Sequence, residues 1–131
     1  MEVFMEYDDL TGKIIKAAYK VHNVLGKGFL EKVYQNAMFI ELTDMGLSVE
    51  MEMPLEVYYK NHKVGIFYAD LIVEDEIIIE LKAVENIAKI HEVQLVNYLN
   101  ATEIDVGLLI NFGDKVDVKR KFRNYKKEED I

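Results

Sequence analysis

The sequence predicts a mixed α/β domain with helices packed against a central sheet, and three observations predict it. Two stretches near the start carry apolar residues at helical spacing. The middle of the chain holds one alternating run and two apolar, β-branched runs, separated by short polar turns. A further helical stretch then precedes two more strand-like runs, giving the order α-α-β-β-β-α-β-β.

Each element has its own signal. Asp8 and Asp9 are good N-caps for a first helix, and Leu10, Ile14, Ala17, Ala18, Val21 and Leu25 follow at helical spacing. Gly26-Lys27-Gly28 stops it. The second helix covers residues 29–45, with Leu30, Val33, Tyr34, Ala37 and Ile40-Glu41-Leu42 as its pattern, and Gly46 ends it. Residues 48–59 alternate as a strand, with Pro54 marking an edge, a bulge or a late start. Residues 60–63 turn the chain into a second strand, 64–73, and 77–83 form the third. The spacing predicts a third helix over 86–100, a short buried strand over 106–110, a turn at 111–114 and a mostly polar strand over 116–125. Residues 1–8 and 126–131 read as frayed ends of a single domain spanning 1–131.

Composition narrows the function classes. Half the residues are hydrophobic, which excludes disorder for most of the chain. No apolar run approaches the roughly 20 residues that span a bilayer, and Met1 to Glu6 lack the basic leader of a signal peptide. With no cysteine the chain has neither disulfides nor thiolate metal sites, so the expected compartment is cytoplasmic and no membrane partner is expected. Three histidines, His22, His62 and His91, are too few and scattered for a zinc centre. A net charge of −8 opposes generic nucleic-acid binding, yet seven of the sixteen basic residues lie between Lys115 and Lys127, with only Asp117 acidic among them. The chain-wide charge hides a local basic strip.

The chemistry-bearing segment is Phe67-Tyr68-Ala69-Asp70-Leu71-Ile72-Val73, then Glu74-Asp75-Glu76, then Ile77-Ile78-Ile79-Glu80-Leu81-Lys82. It reads as a hairpin. A loop centred on Asp75 would set Val73 against Ile77 and Asp70 against Glu80, with Cβ atoms of opposed residues roughly 4.5–5.5 Å apart. Alternation puts Glu80 and Lys82 on one face. Two carboxylates so close repel unless one is protonated or a cation lies between them, and a divalent ion with oxygen ligands satisfies that demand. The competing reading is a surface ion-pair cluster of little energetic value. Against it stands Ile77-Ile78-Ile79, whose unbroken apolarity marks a central strand covered on both faces.

Four further groups have a structural and a functional reading each. Glu31, at the start of the second helix, is either a dipole-favoured N-terminal acid or a third carboxylate for the hairpin's metal. His91, Gln94 and Tyr98 share a helical stripe that faces either water or a cleft beside the hairpin. Lys119, Lys121 and Arg123 would share one strand face, either as edge protection against aggregation or as a phosphate-contacting strip, with Phe122 and Tyr125 available for stacking. Gly26-Lys27-Gly28 lacks a full phosphate-loop pattern and follows no strand, so it reads as a helix-to-helix turn.

Asp70, then Glu80-x-Lys82 on the next strand, after an acid-bearing helix and before a helix with Gln94, resembles the PD-(D/E)XK nuclease superfamily. Within it, Gly28-Phe29-Leu30-Glu31-Lys32-Val33-Tyr34 is similar to the signature of the small GxxExxY proteins. Ala69-Asp70-Leu71-Ile72-Val73, Ile79-Glu80-Leu81-Lys82-Ala83 and Gln94-Leu95-Val96-Asn97-Tyr98-Leu99 extend the match. One departure is Ala69, which stands where the superfamily's name places proline. The resemblance implies a restriction-endonuclease-like fold, a mixed sheet flanked by helices, and Mg²⁺-dependent phosphodiester hydrolysis, with Mn²⁺ as a substitute. It implies that Asp70 and Glu80 hold the metal and Glu31 extends that site. Lys82 would orient or deprotonate the attacking water, or stabilise the transition state, and Gln94 would assist. DNA is the expected substrate, with RNA also open, and Lys119, Lys121, Arg123 and Tyr98 its expected contacts. A homodimer is expected, since so short a chain has little surface to grip DNA alone. The alternative is a module that keeps the fold and binds nucleic acid or protein without cleaving.

Overall fold

The computed structural model of the chain describes residues 2–124. The elements follow the predicted order: α1 (Glu2–Leu25), α2 (Glu31–Asp44), β1 (Val49–Tyr59), β2 (His62–Val73), β3 (Ile77–Lys82), α3 (Lys89–Thr102), β4 (Val106–Phe112) and β5 (Val116–Phe122). The strands form one mixed sheet in the order β1-β2-β3-β4-β5, with β3 and β4 parallel and the other neighbours antiparallel. This is the arrangement expected of a restriction-endonuclease-like fold.

Two apolar layers hold the sheet. On one face Ile14, Ala17, Ala18 and Val21 of α1 and Tyr34, Met38 and Leu42 of α2 pack on Leu71, Val73, Ile77, Ile79, Leu81, Leu108 and Ile110. On the other, Leu95 and Leu99 of α3 cover Ile72, Ile78 and Leu109. Ile77, Ile78 and Ile79 are all fully buried, because β3 is the middle strand and has a layer on each side. Each such side chain removed from water contributes roughly 1.5–3 kcal/mol against the entropy of ordering the chain.

Several boundaries differ from the sequence reading. α1 begins at Glu2, so neither Asp8 nor Asp9 caps it. Residues 2–9 contain no glycine or proline, and an aspartate inside a helix costs only about 0.5 kcal/mol, so the helix runs through both. Asp9 instead pairs with Lys13 one turn on, at 3.6 Å. The buried stripe of α2 is Tyr34, Gln35, Met38 and Leu42, whereas Leu30, Val33 and Ile40 are exposed. Asn111 and Phe112 belong to β4, not to the following turn. Tyr125 and the tail 126–131 lie outside the described residues.

The turns are built from local chemistry. Lys60 and Asn61 both take positive φ (49° and 65°), the conformation a two-residue hairpin turn needs to match strand twist. After α1, Gly26 at φ 70° closes the helix by donating its N–H to His22 O at 2.8 Å. The Tyr34 hydroxyl donates to Gly26 O at 2.7 Å and its ring stacks on Phe112 at 4.5 Å, which ties the α1–α2 turn to β4.

The β1–β2 ribbon exchanges its faces partway along. Met53, Leu55 and Ala69 pack with the α3 layer, while Val49, Leu71 and Val73 pack with the α1–α2 layer. Strict alternation would put all six on one side. The exchange falls between the pairs Met53↔Ala69 and Met51↔Leu71, where Glu52 takes φ 53° opposite Asp70.

Close packing of α3 on β4 depends on Gly107, where a Cβ would lie 2.8 Å from Leu95 Cδ1. Leu95 is fully buried, so its side chain must shift to admit a methyl group. Gly107→Ala is therefore expected to destabilise the fold by about 1–3 kcal/mol, read by urea unfolding; an unchanged midpoint would show that α3 rides further from the sheet.

Candidate active site

The site begins with the hairpin register. Glu74 and Asp75 both take φ 55°, and Glu76 N–H donates to Val73 O at 3.0 Å. Ser48 N–H donates to a Glu74 carboxylate oxygen at 2.7 Å, and Glu74 N–H donates back to Ser48 O at 2.8 Å, so the turn is locked to the start of β1. The ladder reads Val73↔Ile77, Ile72↔Ile78 and Leu71↔Ile79, and one further step sets Asp70 against Glu80. At that step the backbone ladder has ended. Asp70 Oδ2 accepts the Leu81 N–H at 2.8 Å, and Asp70 O accepts a hydrogen bond from Gln35 Nε2 at 2.9 Å.

Glu80 shares the α3 side of β3 with Ile78 and Lys82. There Glu80, Lys82, His91, Gln94, Leu95, Tyr98 and Leu109 line a recess of about 70 Å³. Burial pushes the Glu80 carboxyl up to about 9, the Asp70 charge and a side-chain hydrogen bond with Asp70 add to the rise, and Lys82 opposes it. The Glu80 Oε1 atom is buried without a hydrogen-bond partner. An orphaned carboxyl oxygen beside a second carboxylate, in a recess with room for little more than solvent, suits a hard cation. Among the described residues no group of three or more His, Asp or Glu side chains could hold an ion together. A Mg²⁺-like ion fits two carboxylates, because it keeps several waters and takes remaining oxygens from a phosphate substrate.

The other predicted residues are placed as follows. Tyr98 stacks on Phe67 with ring centroids 3.7 Å apart, and burial, then Glu80 and Asp70, hold its hydroxyl above its ordinary value. Gln94 lines the recess from an exposed position, and His91 Nδ1 accepts the Ala88 N–H at 3.2 Å in the first turn of α3. Glu31 is exposed in the first turn of α2, and the helix meets Asp70 one turn later through Gln35. Lys119 faces Leu109 from one side of β4 while Glu80 faces it from the other, so the basic strip stands two strands from the carboxylate pair. Lys121 pairs with Glu92 at 2.6 Å and Arg123 with Asp105 at 3.5 Å.

Two residues that the sequence reading passed over shape the site. Gln35 is buried and bonded to the Asp70 carbonyl. Its signal was a polar residue three and seven positions before Met38 and Leu42, on the buried stripe. Asn111, also buried, accepts the Val84 N–H at 2.9 Å and donates to Val84 O at 2.8 Å. It fixes the chain just after Lys82, and its place beside Lys82 in the β3–β4 ladder left no signal in the sequence.

Over residues 8–123 the chain matches the model of the PD-(D/E)XK nuclease superfamily, and it belongs to that superfamily. Nucleases of this superfamily generally use divalent metals and act on nucleic acid. Among solved structures, the crystal structure of SSO0001 is similar in fold, with 18% sequence identity and a TM-score of 0.55. That similarity covers 73% of this chain and 52% of the other, so the chain spans about half the length of that protein. No curated protein matches the chain. Among the described residues no helix is long and apolar enough to cross a membrane.

The raised Glu80 value sets a pH dependence. The unfolded chain releases this proton near 4.5, while the folded, metal-free protein holds it until about 9, so native stability falls as pH rises through that window. Glu80→Gln cannot ionise. It is expected to raise metal-free stability at about pH 8 by on the order of 2 kcal/mol and to flatten the fall between about pH 5 and 8, as measured by urea unfolding; an unchanged slope would mean that Glu80 is already ionised in the native state.

Proposed function

We propose that the chain is a Mg²⁺-dependent nuclease of the GxxExxY type that hydrolyses phosphodiester bonds in DNA. The observation that carries this reading is the buried, partnerless Glu80 Oε1 opposite Asp70, beside Lys82. Gly28, Glu31 and Tyr34 supply the letters of the GxxExxY signature. A divalent ion at this point would supply Lewis-acid charge to a phosphodiester. Asp70 and Glu80 hold that ion; Glu31, exposed at the start of α2, would join them only by moving in when metal and substrate bind, since no three acids among the described residues stand close enough to share an ion. Lys82 either takes the proton of the attacking water or stays charged and stabilises the developing negative charge. Gln94, from α3, orients water or a phosphate oxygen through its amide. Tyr98 lines the same recess and would meet the nucleic acid there.

Lys119, Lys121 and Arg123 are proposed to meet the nucleic-acid backbone, with Lys121 and Arg123 exchanging Glu92 and Asp105 for phosphates. Such an exchange releases fewer counterions than a free cation would, so this strip contributes less to salt-dependent affinity than its charge suggests.

Calorimetric titration with Mn²⁺ at neutral pH is expected to show one site in the wild type and none in Asp70→Ala or Glu80→Ala. Lys82→Ala should keep that binding while cleavage of DNA falls about 10²-fold or more, the scale of lost acid–base or electrostatic help. A wild type that binds Mn²⁺ and cleaves no nucleic acid would move the chain to the non-cleaving reading.

A further inference from the structure

We propose that Gln35 is a positioning residue: through it α2 holds the β1–β2 ribbon in the bend that aims the Asp70 carboxylate at β3. The inference rests on the reading of Asp70 and Glu80 as the metal-binding pair. Its geometry is independent of any bound ion.

Three observations converge on this point of the ribbon. First, the faces of β1 and β2 exchange between Met53↔Ala69 and Met51↔Leu71, so the bend is centred on Glu52 and Asp70. Glu52 sits at φ 53°, a conformation a residue with a Cβ adopts only when its surroundings impose it. Second, α2 reaches both centres of the bend. Gln35 Nε2 donates to Asp70 O at 2.9 Å, and Lys32 Nζ donates to Glu52 Oε1 at 2.7 Å. Lys32 first, with Gln35 also contributing, holds the Glu52 carboxyl below its ordinary value. Lys32 and Gln35 are three residues apart and so lie on one side of the helix. Third, the Asp70 carboxylate is anchored on the far side by the Leu81 N–H, at 2.8 Å.

These contacts differ in strength. The Lys32–Glu52 pair is exposed, with both side chains 55% accessible, and such pairs contribute little. Gln35 is 4% exposed. A buried amide is costly to leave unpaired, because no water replaces the bond it loses. The position of Asp70 therefore depends chiefly on Gln35. Removing its amide frees the Asp70 carbonyl to turn, and the carboxylate on the same residue turns with it. The Asp70–Leu81 bond then loosens in the metal-free protein, and the two carboxylates no longer converge.

The test uses Gln35→Met, which keeps the side-chain length and loses the amide, and Gln35→Asn, which keeps an amide too short to reach Asp70. Amide hydrogen exchange in the metal-free protein is read at Leu81, with Leu108 and Ile110 as reporters of the sheet as a whole. Exchange at Leu81 is expected to rise about tenfold or more, the equivalent of one lost hydrogen bond, while Leu108 and Ile110 keep their protection. In Mn²⁺ titration the same variants are expected to bind about tenfold or more weakly. Wild-type protection at Leu81 together with wild-type Mn²⁺ affinity, in whichever variant folds, would overturn the proposal. If the wild type binds no Mn²⁺ and Leu81 still loosens, the positioning role stands and the metal reading fails.

Discussion

The hairpin register between β2 and β3 is the constraint on which everything else depends. Val73 opposite Ile77 sets Asp70 level with Glu80, and period two along β3 points Glu80 and Lys82 toward α3. A slip of one residue would send Asp70 to the α1–α2 layer and leave Glu80 buried with no partner. The register is guarded at both ends. The turn at Glu74 and Asp75 is pinned to Ser48, and the opposite end is pinned by Asp70 on Leu81. Between them, Ile77, Ile78 and Ile79 are alike and buried on both faces, so this run is indifferent to a slip and the two pinned ends set the register.

The fold places a charged pair where charge is expensive. Glu80 stands on the middle strand of a five-stranded sheet, and burial combined with a neighbouring carboxylate favours its protonated form. A fold selected for stability alone would place an apolar residue there, since replacing buried polar clusters by well-packed apolar ones is often neutral or stabilising. Sites that bind ions carry this kind of strain, because the ion relieves it. The stability of the metal-free protein and the affinity of the site are thus opposite sides of one electrostatic balance.

Much of this was legible in the sequence. The order of elements followed from period and turn chemistry, and the hairpin from two β-branched runs around three acidic residues. The recess lining by Gln94 and Tyr98 was legible as a stripe on one helix, one of its two possible orientations. α2 was harder. It has apolar residues on more than one side, and the chain reads equally well with Leu30, Val33 and Ile40 buried, all of which face solvent. Only the tertiary fit between α2 and the bent ribbon selects the stripe that contains Gln35. The partners of Lys121 and Arg123 were likewise hidden, because Glu92 lies on α3 and Asp105 in the loop before β4, and they meet Lys121 and Arg123 only once α3 crosses the sheet. Asp8 and Asp9 misled for a different reason: a good cap residue marks a helix start only where the helix has no better place to begin.

The central claim is that Asp70 and Glu80 share one divalent ion. Its most direct test is an anomalous difference map from crystals of the wild-type protein grown with Mn²⁺, collected at a wavelength where manganese scatters anomalously. The account predicts a single strong peak within coordination distance of an oxygen of each carboxylate. A map with no peak there, from crystals diffracting well enough to show both side chains, would contradict it.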